Sequence, residues 1–171
     1  MKKPLPQSPA RIMPVAGAVL LLSRQSEIHA RYRVTQLFDR IWPSLIRGHY
    51  CLYTKADGRP IGFCNWMLVS QDVLDEYLTT NRPLKAKDWD SGDIPFYPEM
   101  IAPEGHLRRI ISDLRDFVMP EVPVAWSLRA VVANKDGSHP AQRPFKWTGR
   151  PESSSKRTTK PPKGDLNIRI L

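Results

Sequence analysis

Apolar positions recur along the first half of the chain with a helical period and then switch to the period of strands. Residues 15–22, Val15-Ala16-Gly17-Ala18-Val19-Leu20-Leu21-Leu22, are apolar throughout, which predicts a mostly buried helix that starts near Pro14 and exits through the polar stretch Ser23 to His29. Val34, Leu37, Phe38, Ile41 and Leu45 return at intervals of three and four, so residues 33–46 should form a helix with one apolar face, kinked or ended early by Pro43. Two strands follow. Tyr50 to Thr54 and Pro60 to Val69 flank Lys55-Ala56-Asp57-Gly58-Arg59, and the Asp-Gly pair suits the positive-φ positions of a hairpin turn.

Beyond the hairpin, residues 70–80 read as a short helix and residues 94–102 as a strand interrupted or edged by Pro95 and Pro98. Residues 105–118 predict an amphipathic helix. Leu107, Ile110, Ile111, Leu114 and Val118 should face inward, with Arg108, Arg109, Asp113 and Arg115 outward. A strand is expected at 124–132 and a last short one at 145–147. The order helix, helix, hairpin, helix, strand, helix, strand implies an α+β single domain, a mixed, mainly antiparallel sheet flanked by helices. No internal repeat is visible. Residues 1–13, with Pro4, Pro6 and Pro9, read as an extended lead, 14–149 as the folded domain, and 150–171 as a basic tail. Residues 151–164 lack apolar side chains and are expected to be disordered, while Leu166, Ile168 and Ile170 could dock.

A chain of 171 residues can bury about two-thirds of its unfolded surface and needs no covalent staples. Its two cysteines, Cys51 and Cys64, have no further Cys or nearby His at ligand spacing, which makes them reduced strand residues of a cytoplasmic protein and argues against a metal site. Lys2, Lys3 and Arg11 ahead of the 15–22 run imitate a secretion signal. No small-residue cleavage site follows, and the run is too short to span a bilayer. The formal charge of +9 predicts an acidic partner without choosing among nucleic acid, anionic lipid and protein.

Asp88-Trp89-Asp90-Ser91-Gly92-Asp93 crowds carboxylates and a Ser-Gly turn around one Trp just before an apolar run. Carboxylates at that density are expensive to bury unpaired, so something must use or solvate them: either a functional loop, or an acidic surface loop with a Trp lid. There are four histidines. His49, His106 and His139 read as solvated or locally hydrogen-bonded. His29 follows a buried helix, where a rigid element could hold an imidazole at the edge of the core, although a helix-end histidine is often only a cap.

Ser26-x-x-His29, Trp42-Pro43, Gly48-x-Tyr50, Pro60-Ile61-Gly62-Phe63-Cys64-x-Trp66, Asp88-Trp89-x-Ser91-Gly92-Asp93 and Ile101-Ala102-Pro103-x-Gly105 follow one another in the order and spacing of a known family. Across residues 15–132 the chain resembles the RTX toxin-activating lysine acyltransferases. The Asp-Trp-x-Ser-Gly-Asp and Ile-Ala-Pro blocks carry the specificity. The resemblance implies a fold similar to the GCN5-related N-acetyltransferases and transfer of a fatty acyl group to an internal lysine of an RTX-type protoxin. It implies acyl carrier protein thioester as the donor, no separate cofactor, and a homodimer. It also implies His29 as the catalytic base, aided by a carboxylate between the Ser-Gly-Asp turn and the Ile-Ala-Pro block. The chemistry agrees. An ordinary lysine is only about 0.04% neutral at pH 7, so a base must free the amine, and imidazole titrates near neutrality.

Gap-free counting puts Glu99 where the family usually has Asp; Asp93 is the reserve carboxylate, with turn chemistry or an arginine pair as its plainer use. Other departures are Ala30-Arg31-Tyr32 after the histidine in place of Arg-x-Trp, Glu104 in place of Phe, and Arg40 where Asn is frequent. Arg40 could polarise a thioester carbonyl, hold a phosphopantetheine phosphate, or lie on a solvated helix face. Carrier proteins are acidic. Arg108, Arg109 and Arg115, with the tail cations Lys156, Arg157, Lys160 and Lys163, are therefore candidate docking residues. The rivals are a CoA-dependent N-acetyltransferase, which should show a Gly-rich phosphate turn that this chain lacks, and a non-catalytic basic module for nucleic acid or a toxin partner, with Trp126, Phe145 and Trp147 as stacking surfaces.

Overall fold

A computed structural model describes residues 8–80, 82–129, 143–148 and 167–169. The apolar run lies in α1 (Pro9–Gln25), which buries Ile12, Val15, Val19 and Leu22 along one side. This helix starts at Pro9 and not near Pro14, so the C-terminal end of the expected lead is helical. Pro9 fits the first helical turn, where its missing N–H costs nothing. Pro14 is carried inside the helix because Ile12 and Val15, buried on either side of it, hold that turn against the sheet.

A short 3-10 turn (His29–Arg31) leads to α2 (Val34–Arg47), whose Leu37, Ile41 and Leu45 are buried. The Gln36 side chain accepts the Arg33 N–H at 3.0 Å, closing the start of α2, and Gly48, at φ 68°, ends it in the left-handed conformation that favours glycine. Pro43 neither ends nor shortens α2. Beside it, the Asn65 amide donates to Arg40 O at 2.8 Å and the Ser44 hydroxyl to Ile41 O at 2.6 Å, so neighbouring carbonyls keep partners.

The hairpin β1 (Tyr50–Thr54) and β2 (Pro60–Val69) forms with the expected limits, turning through Gly58 at φ 87°. Then come α3 (Gln71–Thr80), a 3-10 turn (Ala86–Trp89), β3 (Ile94–Ile101) and α4 (Leu107–Asp113). The helix expected to run to residue 118 changes winding at Leu114, where a π turn (Leu114–Val118) takes over. β4 (Val124–Arg129), β5 (Arg143–Thr148) and β6 (Asn167–Arg169) complete a six-stranded sheet in the order β5-β4-β3-β2-β1-β6. β3 and β4 are parallel and the other pairings antiparallel. The α+β class and the single mixed sheet are as the pattern predicted. β6 includes Ile168, one of the residues expected to dock, and pairs with β1. His139, the tail cations Lys156, Arg157, Lys160 and Lys163, and the expected end of β4 beyond residue 129 lie outside the described residues.

Helices α1 and α2 pack on Tyr50, Leu52, Phe63 and Ile101; α4 and the π turn pack on Cys51, Tyr53, Cys64 and Tyr97. A third cluster gathers Met67, Val69, Leu74, Tyr77, Trp89 and Phe96. Two irregularities of β3 shape the site. The step from Asn65 to Met67 on β2 is matched by the longer step from Glu99 to Phe96, so β3 carries an extra residue at Tyr97-Pro98. Such a bulge re-aims the side chains beyond it. Tyr97 consequently packs under α4, whereas Ile101 packs under α1 and α2. β3 also pairs with β4 only through Phe96 with Trp126 and Tyr97 with Ser127. Pro98, which has no N–H to offer, stands where that pairing stops.

Candidate active site

His29 is placed by the exit from α1. The Ala30 N–H bonds Ser26 O at 2.9 Å and the Tyr32 N–H bonds His29 O at 3.1 Å, so the turn holds the ring over β3, 6% exposed. Its Nε2 lies 2.8 Å from Glu99 Oε2, and its Nδ1 lies 2.7 Å from Ser26 Oγ. The sequence candidates His29 and Glu99 are thus brought together from positions 70 residues apart.

Glu99 is only 3% exposed. Its backbone N–H donates to Asn65 Oδ1 at 3.0 Å, and Asn65 in turn donates to Arg40 O and Ser44 Oγ, tying β3 to α2. The second carboxylate oxygen accepts from Arg40 Nε. Burial would push the Glu99 carboxyl upward, but the Arg40 charge and the His29 hydrogen bond outweigh it and hold the group below the usual carboxylate range. Glu99 is therefore ionised and can only accept hydrogen bonds. That fixes the imidazole: Nε2 carries the proton given to Glu99, and in the neutral ring the lone pair is on Nδ1, where it accepts the Ser26 hydroxyl.

Arg40 is neither on a solvated helix face nor free to meet a phosphate. Besides Glu99 it donates to Tyr77 Oη at 3.2 Å and to Pro98 O at 3.0 Å. Burial opposes its charge, yet Glu99 raises its pKa further above the ordinary arginine value. Tyr32 stacks obliquely near His29, ring centroids 5.3 Å apart; burial, reinforced by the Glu99 charge, pushes its phenol up to about 12 and keeps it a donor.

Ser26, His29, Tyr32, Arg40 and Glu99 line a cavity of about 660 Å³ that reaches Arg108, Ile111 and Ser127. Arg40 was visible in the sequence as a departure with several uses open and Ser26 through the Ser-x-x-His spacing; Asn65 and Tyr77 carried no signal, because their part depends on contacts between α2, α3 and the strands. Among the described residues, no group of three or more His, Cys, Asp or Glu side chains is arranged to hold a metal ion.

The other candidates have different surroundings. Asp93 is exposed and outside the cavity lining. Asp88, fully buried, takes Arg82 through both oxygens at 2.6 and 3.2 Å and caps the Lys85 N–H at 2.7 Å, while Asp90 pairs with Arg47 at 2.7 Å. Ser91 Oγ accepts the Ser70 N–H at 3.0 Å. The acidic block is a latch on the end of β2, built around buried Trp89. His49 is buried and stacked on Trp66 at 5.8 Å, not solvated, and His106 caps α4. Glu104 closes on the hairpin turn through Arg59 at 2.6 Å and Lys55 at 3.3 Å. Of the docking candidates, Arg108 is exposed on the cavity rim, Arg109 half-buried, and Arg115 paired with Asp116 at 3.3 Å.

The profile of the RTX toxin acyltransferase family matches residues 8–143. The chain belongs to this family. It is 44% identical to the lysine-acyltransferase RtxC of Vibrio cholerae over 106 residues, 62% of this chain and 69% of that protein. The protein-lysine myristoyltransferase RtxC of Kingella kingae is 29% identical over 57% of this chain and 62% of its own length. The RTX-I toxin-activating lysine-acyltransferase ApxIC of Actinobacillus pleuropneumoniae is 32% identical over 60% of this chain and 59% of its own. The matched segment holds His29, Glu99 and the cavity lining other than Phe145 and Trp147. Among the described residues, no helix is long and apolar enough to cross a membrane.

Proposed function

We propose that this member of the RTX toxin acyltransferase family moves a fatty acyl group from acyl carrier protein to an internal lysine of an RTX-type protoxin, with His29 as general base and Glu99 as its orienting carboxylate. The observation that carries the reading is the Ser26–His29–Glu99–Arg40 chain, all four residues in the family-matched segment and His29 and Glu99 buried, opening on a cavity.

The neutral lysine amine attacks the thioester carbonyl carbon, forming the C–N bond. As the amine becomes cationic its proton passes through the Ser26 hydroxyl to Nδ1, the nitrogen whose lone pair the Glu99 bond leaves available. Collapse of the tetrahedral intermediate breaks the C–S bond, and the imidazolium returns the proton to the departing sulfur. An amide and a free pantetheine thiol result. Glu99 fixes the tautomer and stabilises the imidazolium, and Arg40 holds the carboxylate ionised and in place.

The test is the intact mass of a protoxin after incubation with myristoyl-loaded carrier protein and the enzyme. A gain of one or more tetradecanoyl groups, mapped to lysine, is expected. Absence of any acyl gain on the protoxin, across acyl lengths and with folded enzyme, would overturn the proposal.

A further inference from the structure

The cavity at His29 continues away from the reacting centre. A second hollow of about 270 Å³ lies between the π turn and strands β4 and β5, and the two share Tyr97, Ile111, Phe145 and Trp147 in their walls. Past this neck the second hollow is walled by Leu114, Met119, Val122 and Ala125, with Arg115, Lys146 and Thr148 completing its lining. We propose that it is the subsite for the alkyl chain of the acyl donor. The carbonyl would stay beside His29 while the chain threads the neck and lies along those four apolar side chains. The inference rests on the acyltransferase reading and deepens it.

Four observations favour an alkyl occupant. Tyr97 and Trp147 stack at 5.0 Å with planes 5° apart, giving a flat aromatic floor. The Tyr97 hydroxyl is turned to Met119 Sδ at 3.3 Å, so the floor offers no free polar group there, and Met119 itself is an adaptable wall. The cations at the rim are engaged elsewhere: Arg115 with Asp116, and Lys146 with its ammonium 5.5 Å from the Trp126 ring centre. Lastly, Leu107 and Phe145, both on the path, are 41% and 50% exposed. Large apolar side chains left in water beside a cavity mark a surface that a ligand covers. The π winding of 114–118 adds a physical cause for the hollow, since such turns widen a helix and recur at functional sites.

Each methylene taken out of water adds about fourfold in affinity, so occupancy should appear as a dependence on chain length. The experiment compares wild type with Val122→Trp, which fills the hollow from its wall, and Thr148→Trp, placed on an exposed rim position where unfolding is not at issue. Carrier protein bearing butyryl, dodecanoyl or hexadecanoyl thioester is the donor. In wild type kcat/KM should rise with length. Both variants should lose about tenfold or more of the hexadecanoyl-over-butyryl preference, as expected for several methylenes displaced. An unchanged preference, or equal loss at every length, would overturn the subsite. Should wild type transfer no acyl group, the transfer reading fails by itself, and the subsite is decided by fluorescence titration with cis-parinaric acid. Binding weakened about tenfold by Val122→Trp supports it; no binding, or equal binding, overturns it.

Discussion

At the scale of single residues, the site couples two departures from the family pattern. Glu99 stands where Asp is usual and Arg40 where Asn is frequent, and the two are ion-paired. The longer carboxylate spans from β3 to His29 with one oxygen and to Arg40 with the other. Arg40→Met removes the charge that opposes the burial of Glu99, so the Glu99 carboxyl should rise. In wild type, where Glu99 is depressed, its ionisation stabilises the fold above about pH 4.3 and that contribution is lost as pH falls through the folded value. The variant should be less stable at pH 7 on the order of 3 kcal/mol, the usual cost of stranding one member of a buried pair, and the deficit should shrink toward pH 4. Urea unfolding at both pH values checks it; a deficit equal at the two would contradict the role given to the ion pair. His29 and Glu99 were legible as site residues through the family pattern, and Arg40 only as a cation in need of a purpose. No period or spacing says that Arg40 on α2 and Pro98 on β3 will meet, because that contact depends on the bulge in β3.

At the scale of elements, the chain's patterns place the helices and strands but not every face: Val34, Phe38 and Leu107, expected inward, are exposed, and Asp113, expected outward, is buried where it accepts the Tyr53 hydroxyl. The limits of β1 and β2 and the turn at Gly58 agree with the pattern, since two apolar runs, buried on both faces, are separated by a positive-φ turn. The start of α1, the passage of α2 through Pro43 and the π winding after Asp113 were not legible. Each depends on packing from other elements that offsets a local cost. The acidic block shows the same dependence. Its composition suggested chemistry, yet Asp88 is taken by Arg82, six residues before it, and Asp90 by Arg47, 43 residues before it. Gly92 there lies so close to β2 that an added Cβ would meet Ser70 N at 2.5 Å and Val69 O at 2.5 Å, both backbone atoms. Gly92→Ala should therefore lower stability by about 1–3 kcal/mol, the cost of overpacking against atoms that cannot turn aside. A melting temperature within a degree of wild type would show that the latch moves freely and does not fix the end of β2.

At the scale of the whole molecule, the fold places a small polar chain of groups beside the point where β3 and β4 stop pairing, in a cavity that α4 also lines. The formal charge of +9 suits the molecule as a whole to an acidic partner. If carrier protein is that partner, its KM should rise severalfold between low and physiological salt, with kcat held within about twofold, because screening weakens encounter and leaves the buried site alone. Steady-state kinetics across salt concentrations reads both constants.

The measurement that bears most directly on the account is the single-turnover rate of acyl transfer to protoxin lysine by wild type and His29→Ala at saturating donor. Loss of about 10²–10⁴ in rate, with donor binding retained, is the result expected when a general base is removed. A variant within about threefold of wild type would contradict the role of His29 in general-base catalysis and with it the mechanism built on the Glu99 pair.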